Sequence, residues 1–471
     1  MKTGAGFQGA VASREFRRLL YKVGVVLAAV AATAATCGKA PTAPSAAAPA
    51  PANSSTVVPP AGPATYYVSP GGDDANPGTQ SQPFQTIQHA ADVVGAGDSV
   101  IVEDGTYTGT GVATACASST SRPVVCLTRG GTSTQWVTFR SQNPLGAKID
   151  GQANASTYGF QFLAGASYIH LEGFDVFGMG NAGGDASGFV IFQGGHDVVI
   201  AHNEIHDIGR LCTDTTNGET GIFIANARVT VDSNRIHDIG RFAPGENGCA
   251  PATTYYQNHD HGLYINGNSA SGAPGASDVT VTNNIIWNVL RGWPIQVYPG
   301  SVVNVSILNN TFAGANPFSN GQIIVAASTT NARIVNNVFS GPLVAAINFY
   351  SGTHSGLTVA NNLSSLALAT SAPPNVAFSN NIENVDPLLK PSFQPVPPSP
   401  AIDQGMSLPE VAIDIDGTTR PQGAGWDIGA YELVKPAAST ASAPLLLLTA
   451  PSAPTPPNGT TTGSATVARI R

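Results

Sequence analysis

DVVIAHNEIHDIGR, residues 197–210, returns as RVTVDSNRIHDIGR at 228–241, as DVTVTNNIIWNVLR at 278–291 and as NVSILNNTFAG at 304–314. Shorter echoes follow in RIVNNVFSG (333–341), LTVANNLSS (357–365) and VAFSNNIEN (376–384). One asparagine keeps its place throughout, giving the series Asn203, Asn234, Asn284, Asn310, Asn337, Asn362 and Asn381. Apolar residues alternate before it, as Val229 and Val231 do, and resume after it at Ile236, a period of two that predicts strand. A second strand aligns between the phrases: GFVIF (188–192), GIFI (221–224), GLYI (262–265) and PIQV (294–297).

Strands this short cannot bury a face alone. Stacking the repeats about 4.8 Å apart builds one continuous interior, so the expected fold is all-β, a parallel β-solenoid. A recurrent Asn suits the stack, because its amide can bond to the Asn above and below and because Asn tolerates the left-handed conformation of a sharp corner. A β-propeller needs longer blades with different turn residues. Most steps between these asparagines are 19 to 31 residues, and the step of 50 after Asn234 holds an insertion ending in YYQNHDHG.

The chain ends read differently. Residues 1–36 place Arg14, Arg17, Arg18 and Lys22 before an apolar run too short for a bilayer span, the pattern of an export signal. Cys37 follows, then a Pro/Ala-rich tether over 37–63, which resembles a lipidated cysteine on a flexible leash; plain secretion is the other reading. Residues 434–471 are a low-complexity tail. Without the leader's five Lys/Arg and one Glu, 16 basic and 28 acidic residues remain, a net charge of about −12 that argues against nucleic acid. Cys116, Cys126, Cys212 and Cys249 are an even set in an exported chain, and short separation favours pairing 116 with 126 and 212 with 249.

Two segments flanking the repeats carry a family resemblance. TYYVSPGGDDANPGTQSQPFQTIQHAADVVGAGDSVIVEDGTY (65–107) resembles the entry segment of bacterial right-handed parallel β-helix proteins, including those similar to family 9 polysaccharide lyases. SPAIDQG (399–405) with DIDGTTRPQGAGWDIGAYE (414–432) resembles the closing segment called the choice-of-anchor Q domain. Within the entry segment, Phe84, Ile87, Ala91 and Val94 fall at helical spacing, which predicts a short helix plugging the open end. The resemblance implies one right-handed β-helix body over 64–433 and a monomer whose partner is an acidic polysaccharide. It also implies an activity among lyases, epimerases, hydrolases and plain glycan binders. Family 9 lyases use a lysine base, and here no lysine stands between Lys148 and Lys390.

Candidate site residues follow from stacking the repeats. His206, His237 and Trp287 form one outward column, Arg210, Arg241 and Arg291 another, and Phe223, Tyr264 and Gln296 a third, with Ile222, Ile224, Leu263 and Ile265 inward. Glu219 and Asp260 take matching places and could share a proton or hold Ca²⁺. Elimination or epimerisation at a uronate needs a base, an acid and a neutralising cation. His259 or His261 can be the base, Tyr264 the acid, and Arg241 and Arg291 or a calcium ion the neutraliser. Arg210, Arg241, His237, Trp287 and Trp293 would line the sugar. Zinc on His259, His261 and Glu219 is a further option. A surface glycan-binding module and a hydrolase using Glu219 and Asp260 are the competing readings.

Overall fold

The computed structural model describes residues 63–434 apart from 110–114, 119–120, 182–183, 193, 213–217, 243–244, 250–258, 270–274, 290 and 315–319. The leader, Cys37 and nearly all of the tether and the tail lie outside the described residues.

Alternating residues do form strands, and each repeat gives one strand to each of three parallel sheets of eleven, ten and ten strands. A single turn of chain runs Val198–Ala201 in the first sheet, Glu204–His206 in the third and Glu219–Ile224 in the second, then re-enters the first at Val229–Asp232. This is the right-handed parallel β-helix that the repeats require. Register is strict: Ile205 pairs with Ile236 and Ile236 with Ile286, while Ile222 pairs with Leu263 and Leu263 with Ile295. The inward side chains, with buried rings such as Phe160 stacked on Phe189 at 5.2 Å, fill one core along the axis. The aligned glycines Gly188, Gly221 and Gly262 make this packing possible. A Cβ on each would come within 2.6–2.8 Å of the next coil's carbonyl oxygen and 2.9 Å of Ile205, Ile236 or Ile286.

The asparagine series is a hydrogen-bonded ladder. The side-chain amide of Asn234 donates to Asn284 Oδ1 at 3.0 Å, Asn284 to Asn310 at 3.0 Å, Asn310 to Asn337 at 3.1 Å and Asn337 to Asn362 at 3.0 Å. Each receiving oxygen also accepts the previous rung's backbone N–H, as Asn310 Oδ1 does from Asn284 at 2.9 Å. In one respect the sequence expectation is corrected. The left-handed corner belongs to the residue before each rung: Ser233, Asn283, Asn309, Asn336 and Asn361 have φ between 51° and 57°.

That corner residue has its own task. The closing segment runs back along the solenoid flank, and the amide of Asn283 donates to the Ile413 carbonyl at 2.9 Å. Asn309 reaches Asp427 at 3.1 Å, Asn336 reaches Met406 at 2.8 Å and Asn361 reaches Gln404 at 3.4 Å. Arg420, buried, ties Glu432 Oε2 (3.2 Å) to Asn283 Oδ1 (3.1 Å). At the other end the helix Ile87–Val93, capped by Thr86, buries Ile87, Ala90 and Ala91 beside Phe84 and Val94, as its spacing predicts. Cys116 is bonded to Cys126 and Cys212 to Cys249, bridges of the kind that persist in oxidising compartments.

Asn310→Ala strands the buried backbone N–H of Asn284, worth about 1–3 kcal/mol, while the Asn284 side-chain amide keeps the carbonyls of Val231 and Thr282. It should cost about 2 kcal/mol in denaturant unfolding, and Asn381→Ala, whose bonds to Asn362 are only part-buried, markedly less. Equal losses would contradict the ladder's energetic role.

Candidate functional site at the corner between the third and second sheets

The residues singled out from sequence gather where the third sheet turns into the second. There the repeats are longest, and parts of the intervening loops, 213–217 and 250–258, lie outside the described residues. Gly240, at φ 113°, lets the chain turn sharply against Asp260. Arg241 is thereby carried inward, a correction to its expected place on an exposed column. Its side chain and that of Asp260 are both wholly buried. Arg241 Nη2 donates to Asp260 Oδ1 at 2.8 Å and Nε to Oδ2 at 3.1 Å. The backbone N–H of Glu219 adds a bond to Oδ1 at 3.1 Å, and that of Arg241 one to Oδ2 at 3.0 Å. Arg291 is buried as well. Arg210 places its Cζ over the Phe242 ring, 4.0 Å from the centroid, and donates to the Gly240 carbonyl at 2.9 Å. Arg210 and Arg241 of the expected arginine column are therefore engaged in holding the corner together.

Glu219 and Asp260 do sit one coil apart, as predicted, yet they differ in kind. Among the described residues, both carboxyl oxygens of Glu219 are buried without a close hydrogen-bond partner. Burial, then the Asp260 charge, pushes its pKa up to about 9, so it is a neutral acid at physiological pH. Asp260 already accepts from Arg241 and two backbone amides, which leaves Glu219 alone with oxygens to offer a cation. Among the described residues no three His, Cys, Asp or Glu side chains gather to hold a metal ion.

His261, Tyr264 and Trp293 converge. The His261 ring lies 5.4 Å from that of Tyr264 and stacks on Trp293 at 5.8 Å. Burial, then the His259 and Arg241 charges, holds its pKa well below the ordinary value. Its Nδ1 accepts the backbone N–H of Trp293 at 3.1 Å, so the proton of the neutral ring is on Nε2. Tyr264 is half-buried, and burial, then neighbouring Tyr298, raises its phenol pKa. His259 is half-buried, its backbone N–H bonded to the Arg291 carbonyl at 2.7 Å. Trp293, expected to stack on sugar, is mostly buried against Ile324 and Ala326, with its indole N–H donated to the Asn320 carbonyl at 2.7 Å.

The His206, His237 and Trp287 column exists as drawn, on the outer side of the third sheet, with its rings stacked on one another. Phe177, His206, His237 and Trp287 stack with centroids 5.1, 5.1 and 4.1 Å apart, and Phe393, ahead of the closing segment, covers Trp287 at 5.1 Å. Each imidazole nitrogen meets a carboxylate. His206 lies 2.9 Å from Asp175 and 2.7 Å from Asp207, while His237 lies 3.2 Å from Glu204 and 2.6 Å from Asp238. Burial alone would lower both pKa values; the paired carboxylates outweigh it, raising His237 and bringing His206 to about 9. His237 and Trp287 are thus a structural stack rather than a free sugar-binding surface. The corner asparagines that dock the closing segment are what sequence reasoning missed; the doubled Asn-Asn at 283–284, 309–310, 336–337 and 361–362 was the available signal.

Comparison with known proteins agrees with this architecture. The family described as "Pel9A-like, right handed beta helix region" matches residues 66–288. The crystal structure of pectate lyase Pel9A superposes with a TM-score of 0.50 at 17% identity, over 78% of this chain and 96% of that one. An alginate lyase from Paenibacillus sp. aligns at 0.42 and 16% identity, over 68% and 99%. The uncharacterized protein YwoF of Bacillus subtilis is 49% identical over 41 residues, 9% of this chain and 9% of its own length. The family match ends before the closing segment.

Two measurements check these electrostatics. Because the folded pKa of Glu219 lies above the ordinary 4.5, ionisation favours the unfolded chain, and stability falls as pH rises from 4.5 toward about 9. Glu219→Gln should therefore raise Tm at pH 8 (about one unit below that pKa), whereas Asp260→Asn, which strands the buried Arg241 charge, should cost about 3–5 kcal/mol. His206 has the opposite sign. Its contribution is complete below about pH 6.5 and is lost as pH rises through about 9. His206→Gln should flatten the fall in Tm between those limits.

Proposed function

We propose that this is a carbohydrate-active β-helix protein that works outside the cytoplasm on a polysaccharide. Its chemistry would be elimination or epimerisation at a uronate residue lodged at the corner of His259, His261 and Tyr264. The observation that carries this reading is the convergence of His261 and Tyr264 at 5.4 Å, one ring neutral and the other a phenol held protonated. The likeness of the backbone to that of a pectate lyase supports a sugar polymer as ligand.

In this reading His259 takes the ring proton alpha to the uronate carboxyl. His261 cannot take it through Nδ1, which is occupied, but its Nε2–H can donate to the carboxylate and stabilise the charge that develops there. Tyr264 then protonates the departing oxygen as the carbon–oxygen bond breaks and the C–H electron pair becomes the ring double bond. For epimerisation the same phenol would return a proton to the opposite face. A hydrolase built on Glu219 and Asp260 is less well served, since Asp260 is bound to Arg241. The second reading is a non-catalytic glycan-binding module, favoured by the absence of any lysine between Lys148 and Lys390.

Incubation with pectate, alginate and glycosaminoglycans, followed by absorbance of the unsaturated product and by NMR for inverted uronates, tests the proposal. Tyr264→Phe should lower kcat on the productive polymer by about 10²-fold or more with KM little changed. No product from any polymer, or full activity in the Tyr264→Phe variant, would favour the binding module.

A further inference from the structure

The charged side chains of the solenoid are unevenly shared. Of the second sheet's strands, Pro123–Leu127, Tyr158–Phe162, Ala186–Ile191, Glu219–Ile224, His261–Gly267, Ile295–Val303, Ile323–Val325 and Ile347–Phe349 contain no Lys or Arg, and buried Glu219 is their one acid. The first and third sheets, in contrast, carry Arg140, Glu172, Asp232 and Arg333, and Lys148, Asp175, Glu204 and Arg235.

On the uncharged sheet the outward positions are aromatic instead. Phe192 meets Phe223 at 6.1 Å, and Phe223 stacks on Tyr264 at 5.2 Å and 23°. Further along the axis Tyr298 and Tyr350 follow Val297 and Phe349, which share one register line through Val325. The first four rings are half-buried and Tyr350 is 74% exposed. The register line through Phe223 and Tyr264 also holds the half-buried amides Gln161 and Asn348, with Val190, Gln296 and Ile324 buried along it. Flat rings on two neighbouring register lines, with half-buried amides at Gln161 and Asn348, suit pyranose rings lying along the axis, with ring faces on the aromatics and hydroxyls on the amides.

We propose that this face binds a stretch of uncharged sugar residues, so that the ligand is a polysaccharide whose neutral residues lie over the second sheet. A homopolymer of uronates would set a carboxylate over each coil of a sheet whose strands, among the described residues, hold no Lys or Arg to meet it. This rests on the carbohydrate reading above, because Tyr264 belongs to both the corner and the track.

The test is binding of neutral oligosaccharides (galactan, xylan and N-acetylglucosamine oligomers) and of polygalacturonate to the intact chain by calorimetry, at low and high salt. The expected result is that a neutral oligomer binds with affinity independent of salt, since no ion pair is screened. Tyr350→Ala and Phe223→Ala should each weaken it at least about fivefold, roughly 1 kcal/mol. Tyr350 is exposed, so its variant keeps the fold. Tighter, salt-sensitive binding of polygalacturonate would overturn the neutral track while leaving the uronate chemistry standing. Neutral binding unchanged in both variants would overturn the track's location. Failure of every glycan to bind would remove the track and the carbohydrate reading together.

Discussion

Everything in this molecule depends on one constraint: successive coils must meet in register, and the buried asparagine ladder enforces it. An Asn whose amide donates to the next Asn oxygen, while that oxygen also accepts a backbone N–H, has one satisfactory alignment with its neighbour. A slip by one residue would turn every apolar side chain of a strand to the outside and leave a line of buried amides unbonded. From that alignment follow the core, the stacked rings and the assembly of the corner from segments far apart in sequence.

The corner illustrates how a solenoid makes a site. Within a strand the side chains alternate strictly and can do little but pack. At a corner the chain escapes that rule, loops lengthen, and glycine lets polar side chains fold back under the turn. Arg241 and Asp260 use this freedom to build a dry ion pair that fixes the loop carrying His259 and His261. Low exposure then sets the chemistry: it keeps His261 neutral, Tyr264 protonated and Glu219 uncharged.

The same distinction separates what was legible in the sequence from what was not. Period two and the repeated Asn reveal the fold, the inward set from Ile222 to Ile265, and the alignment of His206, His237 and Trp287, since all of these lie in strands where register alone decides neighbours. Close spacing of the cysteines likewise indicates both bridges. Arg241 was misplaced because the alternation was extended past Gly240, where the backbone turns. Trp293 turns inward because its indole packs on Ile324 and Ala326 while its N–H still reaches the carbonyl of Asn320. Of the partners of the His stack, Asp207 and Asp238 adjoin the histidines in sequence, whereas Asp175 and Glu204 come from the preceding coil and are not legible from spacing along the chain.

A stack of coils held only by contacts between neighbours frays from its ends, each rung peeling away without much effect on those further in. The returning segment changes that behaviour. By gripping Asn283, Asn309, Asn336 and Asn361 in turn, it cross-braces four rungs that otherwise touch only in sequence. The stretch of solenoid from Asn283 to Asn361 is thereby welded into one cooperative block, and peeling it open requires stripping the brace first.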